Sequence, residues 1–408
     1  MTHNERVWPG DDATRLPYWI YSDPDIYQRE MSRIFRGSIW AYAAIEAEIP
    51  EPGDFRVTRI GDRSVIVIRD EHGVIRAFVN RCAHRGVKVC RQQRGNTRFF
   101  VCPYHQWSYD AQGRLKGVPF IKGVKQLGGM PDDFRREDHG LPALAVAVRN
   151  GVVFVSFHES PPPFPEYLGE TNLRYFDRVF DGRKLRLLGY SRQLIPGNWK
   201  LMFENIKDPY HASLLHVFLV TFGLFRADQK SQVRMDATGM HALLISQRGE
   251  AGKSTDTADI SNLREDFTLE DPRLLDPVRE YSDDATVVMQ TIWPNLIVQQ
   301  QSNTLALRQL QPRGPESFEL HWTFFGYEDD DETMTRRRLR QANLMSSAGL
   351  VSADDSEVIK LAQDGTREHP EDAGVLLMGG RDTEDVPHMV TEAAIRAFYV
   401  RYREVMEL

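Results

Sequence analysis

Three short stretches hold residue types that bind iron. Cys82-Ala83-His84 is followed, after seventeen intervening residues, by Cys102-Pro103-Tyr104-His105. About a hundred residues on, Glu204-Asn205-Ile206-Lys207-Asp208-Pro209-Tyr210-His211 leads to a second histidine, His216. One thiolate and one imidazole from each of two tight loops suit a [2Fe–2S] cluster with both sulfurs on one iron and both imidazoles on the other. A later histidine pair, completed by one carboxylate, suits a mononuclear non-haem Fe(II) with coordination positions left open for dioxygen. An electron store and an oxygen-activating iron on one polypeptide make an oxygenase.

The Cys₂His₂ list can also hold a structural zinc. Zinc fingers group cysteine with cysteine and histidine with histidine, whereas each loop here offers one of each. The three cysteines, Cys82, Cys90 and Cys102, form no disulfide framework, and in a reducing compartment their spacing reads as metal ligation. Cys90 lies outside both loops and is expected to be a buried structural thiol.

His211 and His216 are five residues apart. On a regular helix that spacing separates them by about 140°, so joint ligation of one metal needs a distortion. Pro209 supplies a cause, since it removes a backbone donor and disfavours helix at Asp208. An irregular turn is expected there, for which a π-bulge is one available form. The carboxylate must come from elsewhere, and Ser352-Ala353-Asp354-Asp355-Ser356-Glu357-Val358, opening an expected helix, is the best candidate. The competing reading of that stretch is a capping box, with Ser352 as cap and Asp355 at the third helical position.

The chain has 408 residues, 41% hydrophobic and 27% charged, enough for two or three domains with real cores. A net charge of −7 argues against a nucleic-acid binder, which needs a basic stripe to neutralise phosphates. The start, Met1-Thr2-His3-Asn4-Glu5-Arg6, has no apolar run of the signal-peptide kind, and no window suits a membrane span, so a cytoplasmic protein is expected. Gly252-Lys253-Ser254 resembles the end of a P-loop, but Gln247 stands where the first glycine belongs, and no GxGxxG loop is present.

The elements that must carry these residues can be read from alternation and turn signals. An acidic cap at Asp23 or Asp25 starts a helix over 27–35, and strands follow at 55–60, 64–69 and 74–79, separated by Gly61-Asp62 and His72-Gly73. Phe99-Phe100-Val101 leads into the second Cys/His loop and Trp107-Ser108-Tyr109 leaves it, while 144–157 reads as a closing strand. The proline cluster Pro161-Pro162-Pro163 with Pro165 marks a boundary. Beyond it, 190–194 reads as strand, a helix begins at Trp199, 251–284 reads as a long polar loop, 287–311 as a strand pair hinged at Pro294-Asn295, and 321–327 as strand. Helices are expected at 332–344, 353–364 and 390–406.

Cys82-Ala83-His84-Arg85-Gly86 and Cys102-Pro103-Tyr104-His105-Gln106-Trp107, with Asn198-Trp199-Lys200-Leu201 and the Glu204–His211 stretch, resemble the large subunits of Rieske non-haem iron aromatic-ring-hydroxylating oxygenases. Respiratory Rieske proteins carry an extra cysteine in each loop, where Val87 and Tyr104 stand here; this places the cluster potential toward the low end of the Rieske range, about −150 mV. Gly117-Val118-Pro119-Phe120, Gly128-Gly129-Met130-Pro131, Gln341-Ala342-Asn343-Leu344 and Val390-Thr391-Glu392 are similar to the salicylate 5-hydroxylase, anthranilate and terephthalate dioxygenase group.

The resemblance implies an α+β fold: an antiparallel β Rieske domain over 38–158, and a helix-grip, START-like catalytic domain with a curved antiparallel sheet over 159–408, with segment 1–37 packing against the latter. It implies cluster ligands Cys82, His84, Cys102 and His105, and iron ligands His211, His216 and Asp355, the last preferred over Asp354. It gives Asp208 the role of bridging His211 to His105 of a neighbouring subunit; the alternative is a cap for Pro209. It implies an α₃β₃ assembly with a small β subunit, and electrons from NADH through a separate reductase and ferredoxin. The expected substrate is an aromatic carboxylic acid. An anion needs a cation in a mostly apolar pocket, and Arg308, in the apolar run Leu305-Ala306-Leu307-Arg308, and Arg396, beside Ile395, Phe398, Tyr399 and Tyr402, are the candidates. A structural ion pair or snorkelling is the other reading of both arginines. Rival activities are monohydroxylation or demethylation of another aromatic with the same ligands, or electron transfer without catalysis.

Overall fold

The computed structural model describes residues 6–10, 12–125, 127–222, 224–225, 229–247 and 270–408. They fall into two compact units, Phe35–Pro162, and Met1–Ile34 with Pro163–Leu408. The divisions lie a few residues from the expected 37/38 and 158/159. The fold is α+β with antiparallel sheets, one of them curled as a half-barrel.

In Phe35–Pro162 the alternating apolar runs pair into a seven-stranded antiparallel sheet. Its order is Ala41–Ile45, Val152–Ser156, Ala143–Arg149, Ile75–Val79, Arg63–Arg69, Asp54–Ile60, Arg94–Asn96. The expected single closing strand over 144–157 is two strands, because Asn150 and Gly151, both at positive φ, turn the chain back on itself. A second sheet of Phe99–Val101, Ser108–Asp110 and Leu115–Gly117 shares a core in which Cys82, Cys90, Cys102, Trp107 and Tyr109 pack with Phe55, Phe78 and Phe100. Cys90 is buried there with its thiol directed to the Gln92 carbonyl.

The other unit is built on a seven-stranded antiparallel sheet ordered Leu185–Ile195, Ser317–Tyr327, Thr304–Gly314, Leu296–Gln301, Val287–Ile292, Ala242–Ser246, Ser231–Met235. The expected pair over 287–311 is three strands, since Ser302-Asn303 makes a second reversal, with Ser302 at φ +52°. Helices Glu332–Met345, Leu350–Glu368 and Ala393–Met406 are present. Part of the expected 251–284 loop, residues 251–269, lies outside the described residues; Pro272–Leu275 forms a short 3₁₀ turn.

The helix Trp199–Lys207 is fastened from below. Lys200 Nζ lies 2.6 Å from Glu30 Oε1, both side chains fully buried, and Trp199 Nε1 and the Tyr402 hydroxyl donate to the same carboxylate at 2.8 and 2.6 Å. A buried ion pair tolerates its desolvation only when further hydrogen bonds support it, and here Lys200 Nζ also donates to Asn198 Oδ1 at 2.8 Å. Asn198 caps the helix through Oδ1 to the Lys200 N–H at 3.0 Å, while its own N–H donates to Gln363 on the Leu350–Glu368 helix at 2.8 Å. The helix that leads into the histidine motif and the helix that carries Asp355 are thereby held in fixed relation.

Candidate metal centres

The two Cys/His loops are built alike. In one, the Cys82 N–H donates to the Val87 carbonyl at 2.8 Å and the Gly86 N–H to the Cys82 carbonyl at 3.0 Å; in the other, Cys102 N–H reaches Trp107 at 2.8 Å and Gln106 N–H reaches Cys102 at 3.0 Å. Gly86 and Gln106, at the same place in each loop, have φ of +72° and +57°. Glycine takes this left-handed conformation freely, whereas Gln106 takes it against its Cβ. Both cysteines are buried. The His84 and His105 rings lie 4.5 Å apart, and Nδ1 of each is buried without a hydrogen-bond partner. His84 is held flat against Trp107, ring centroids 4.9 Å apart at 7°. Burial, then the neighbouring His105 and Arg85, pushes the His84 imidazole toward its neutral form, the form that ligates. Two buried thiols and two unpartnered Nδ1 atoms fit the donor set of a [2Fe–2S] cluster.

The second centre needs the helix to end. Trp199–Lys207 stops at Asp208, Tyr210–Ser213 forms a 3₁₀ turn, and a new short helix starts after His216. The expected distortion is therefore a full break and not a π-bulge, because Pro209 cannot donate back into the preceding turn. The break swings His211 and His216 to one side, where Asp355 meets them from the second turn of the Leu350–Glu368 helix. The Asp355 Oδ1 atom lies 3.2 Å from His216 Nε2 and 3.5 Å from His211 Nε2. The capping-box reading of Ser352 does not hold, as that helix begins at Leu350 with Gly349 as its cap.

One ligand atom from each of the three side chains lies within 4.8 Å of the others. Three mutually adjacent ligands at metal bonds of about 2.1 Å stand about 3 Å apart, so the spacing fits a 2-His-1-carboxylate metal site. The outer nitrogens are already committed. His211 Nδ1 donates to the Asp208 carbonyl, and its Nδ1 is 3.7 Å from the Asp208 carboxylate. His216 Nδ1 is 3.3 Å from Asp354 Oδ2. Each imidazole thus turns Nε2 inward, as ligating histidines with oriented outer partners do. Asp208 also accepts the His211 N–H at 3.4 Å. Burial raises the Asp208 carboxyl to about 6 against the pull of His211.

Sequence reasoning passed over Asn205 as a functional residue. Its Nδ2 donates to Asp355 Oδ1 at 3.0 Å and lies 3.4 Å from His211 Nε2; its place on the motif helix, six residues before His211, was the available signal. Arg308 lines the same cavity as His211, His216 and Asp355, together with Trp322 and Met289. It is 3% exposed, its Nε has no partner, and its guanidinium lies 4.7 Å from the Trp322 ring centroid. Among the described residues no carboxylate is within ion-pair distance of it. Burial lowers its pKa to about 10, against the opposing field of Asp355. Arg396 is elsewhere: it donates to the carbonyls of Asp382, Leu376 and Met378 at 2.9, 3.3 and 3.1 Å, and it does not line this cavity.

Residues 173–408 match the family model of the ring-hydroxylating alpha subunit catalytic domain, and residues 39–128 that of the Rieske [2Fe–2S] domain. The chain belongs to the ring-hydroxylating oxygenase alpha subunits: it is an oxidoreductase with a Rieske [2Fe–2S] domain and a mononuclear-iron catalytic domain. It is 53% identical over 405 residues to the large oxygenase component of salicylate 5-hydroxylase from Ralstonia sp., covering 98% of this chain and 96% of that one. It is 44% identical over 404 residues to the anthranilate 1,2-dioxygenase large subunit of Burkholderia cepacia, covering 98% and 95%. The fold matches naphthalene 1,2-dioxygenase from Rhodococcus sp. bound to indole at a TM-score of 0.80 and 27% identity, covering 96% and 94%. No helix of the described residues is long and apolar enough to cross a membrane.

Proposed function

We propose that this chain is the terminal oxygenase component that hydroxylates an aromatic carboxylic acid of the salicylate, benzoate, anthranilate or terephthalate type. Arg308 carries this reading: a buried cation with no counter-ion among the described residues, facing the cavity that holds the iron triad. A desolvated guanidinium left unpaired is costly unless a ligand supplies the anion, and a carboxylate is its natural bidentate partner. Leu219, Phe225, Leu244 and Val287 give the cavity an apolar side that suits an aromatic ring, while Asn205, Gln299 and Gln301 add polar groups to its lining. When bound, the mononuclear iron supplies the site at which dioxygen is activated with electrons relayed by the cluster. The chain's own residues hold the acid at Arg308, keep water out with the apolar lining, and keep both imidazoles facing inward through Asp208 and Asp354.

In this reading Asp208 links His211 to His105 of a second copy of the chain, and the electrons originate in NADH and arrive through a separate reductase and ferredoxin. The words "large oxygenase component" and "large subunit" in the relatives' names support a smaller partner subunit; in this reading the two form an α₃β₃ assembly in the cytoplasm. A pure electron carrier would have no use for the His211–His216–Asp355 set.

The test is turnover of a panel of benzoates and matched neutral aromatics by the reconstituted enzyme and by Arg308→Leu. Loss of a charge-assisted hydrogen bond of about 1.5–3 kcal/mol should raise KM for acids roughly 10–150-fold and leave neutral analogues little changed. Equal weakening of acids and neutral compounds would place the anchor elsewhere. A wild-type preference for unsubstituted hydrocarbons would end the acid reading.

A further inference from the structure

Behind the cavity wall, one side chain ties the cationic anchor to the helix of the iron ligand. Gln193, on the strand Leu185–Ile195, accepts at Oε1 from Trp322 Nε1 at 3.2 Å and from Ser352 Oγ at 2.9 Å. Its Nε2 donates to Ser356 Oγ at 3.1 Å, and Ser356 Oγ donates onward to the Ser352 carbonyl at 2.6 Å. An indole N–H can only donate, so the amide has one permitted orientation, with its oxygen toward Trp322 and Ser352 and its nitrogen toward Ser356.

The two ends of this link matter. Ser352 and Ser356 are one helical turn apart, and Asp355 stands between them. Trp322 is the register partner of Arg308 across the sheet, and its ring is the surface on which the guanidinium rests. Gln193 itself does not line the cavity. We propose that Gln193 is a positioning residue: it fixes the separation of Arg308 from Asp355, and so aims the ring of a bound aromatic acid at the iron. The proposal rests on Arg308 being the anchor of the acid. If the ring is misaimed, dioxygen that has received two electrons from the donor chain and two protons departs as H₂O₂, instead of adding oxygen to carbon.

The experiment compares wild type with Gln193→Leu, Gln193→Glu and Ser356→Ala as iron-loaded holoenzymes with their electron donors. Two quantities are read: the dissociation constant of 2-hydroxybenzoate for the oxidised protein, by calorimetry, and H₂O₂ released per O₂ consumed. Gln193→Leu removes all three contacts; it should bind the acid within about twofold of wild type while peroxide per O₂ rises by at least roughly 2- to 10-fold, the change expected from a single net hydrogen bond. Gln193→Glu keeps both accepting contacts and loses only the donor, so its rise should be smaller. If Gln193→Leu fails to fold or to load iron, the other two variants decide, and wild-type coupling in both overturns the proposal. Wild-type coupling in a folded Gln193→Leu, or weakened acid binding with coupling intact, also overturns it. Failure of the wild type to bind any acid would overturn the anchor reading and this proposal together. Acid binding with unaltered coupling in all variants overturns this proposal alone.

Discussion

The Tyr109 hydroxyl lies 3.2 Å from Cys82 Sγ and accepts the Ala83 N–H at 3.0 Å. Because the oxygen already accepts a backbone proton, its own proton is the one aimed at sulfur. Burial first, then the neighbouring Cys82, keeps that phenol protonated by raising its pKa. A donor at a cluster sulfur favours the reduced, more negative state. Tyr109→Phe should therefore lower the midpoint potential of the cluster by roughly 20–60 mV, the one-electron equivalent of about 0.5–1.5 kcal/mol. Protein-film voltammetry would check this; an unchanged or higher potential contradicts it.

The residues proposed to hold the two metals belong to separate compact units, so the two sites should be separable by mutation. His216→Ala and Asp355→Ala should remove the mononuclear iron and turnover while the visible spectrum of the cluster persists. Asp354→Ala removes only the outer partner of His216, and a loss of about 10- to 100-fold in iron affinity is expected. Iron analysis alongside the visible spectrum distinguishes these outcomes. Full iron and activity in Asp355→Ala would remove that residue from the site.

The metal-binding stretches could be read from sequence because their chemistry is local: one turn of chain sets the spacing of Cys82 and His84, and another that of Cys102 and His105. The likeness of the two loops could not, because it lies in backbone hydrogen bonds and in the left-handed conformation of Gly86 and Gln106, which share no side chain. Pro209 announced an interruption but not its form, since the choice between bulge and break depends on where Asp355 must meet the histidines. Arg308 stood out as a charge in an apolar strand, and its burial beside Trp322 follows from sheet register, which no single-strand pattern reveals. Arg396 gave a similar signal from a helix, yet its Nε and Nη1 are taken up by the carbonyls of Asp382, Leu376 and Met378, away from the cavity. Gln193 had no signal, for its meaning comes wholly from Trp322, Ser352 and Ser356.

In the proposed role of Asp208, the carboxylate carries the connection between His211 and the cluster of a second copy. Asp208→Asn keeps the size of the side chain and removes its charge, and the carbonyl that holds His211 Nδ1 is backbone and remains. Both metals should stay bound. In single turnover with substrate and O₂, the reduced cluster should reoxidise more slowly by orders of magnitude. Reoxidation at the wild-type rate would reduce Asp208 to its hydrogen bond with the His211 N–H.

Glu204, one residue before Asn205, is half-buried, and its carboxylate is shared by two tyrosines: the Tyr21 hydroxyl donates to both carboxylate oxygens at 2.9 Å, and that of Tyr399 donates to Oε1. Burial raises its pKa from 4.5 to about 7, more than the two hydroxyls and Lys200 pull it down. A carboxyl that holds its proton more tightly when folded adds stability that is full below the unfolded value near 4.5. That contribution is lost as pH rises through about 7, because the folded protein must then bury a charge or release it. Gln mimics the protonated form and cannot ionise, so Glu204→Gln should gain stability relative to wild type as pH goes from about 4.5 to 7, and the difference should level off above that. Thermal midpoints of the two holoenzymes measured side by side from pH 5 to 8 provide the check. The sign is the decisive feature: a wild type that gains on the glutamine variant as pH rises would mean that Glu204 is held as a carboxylate, with the two tyrosines and Lys200 outweighing its burial.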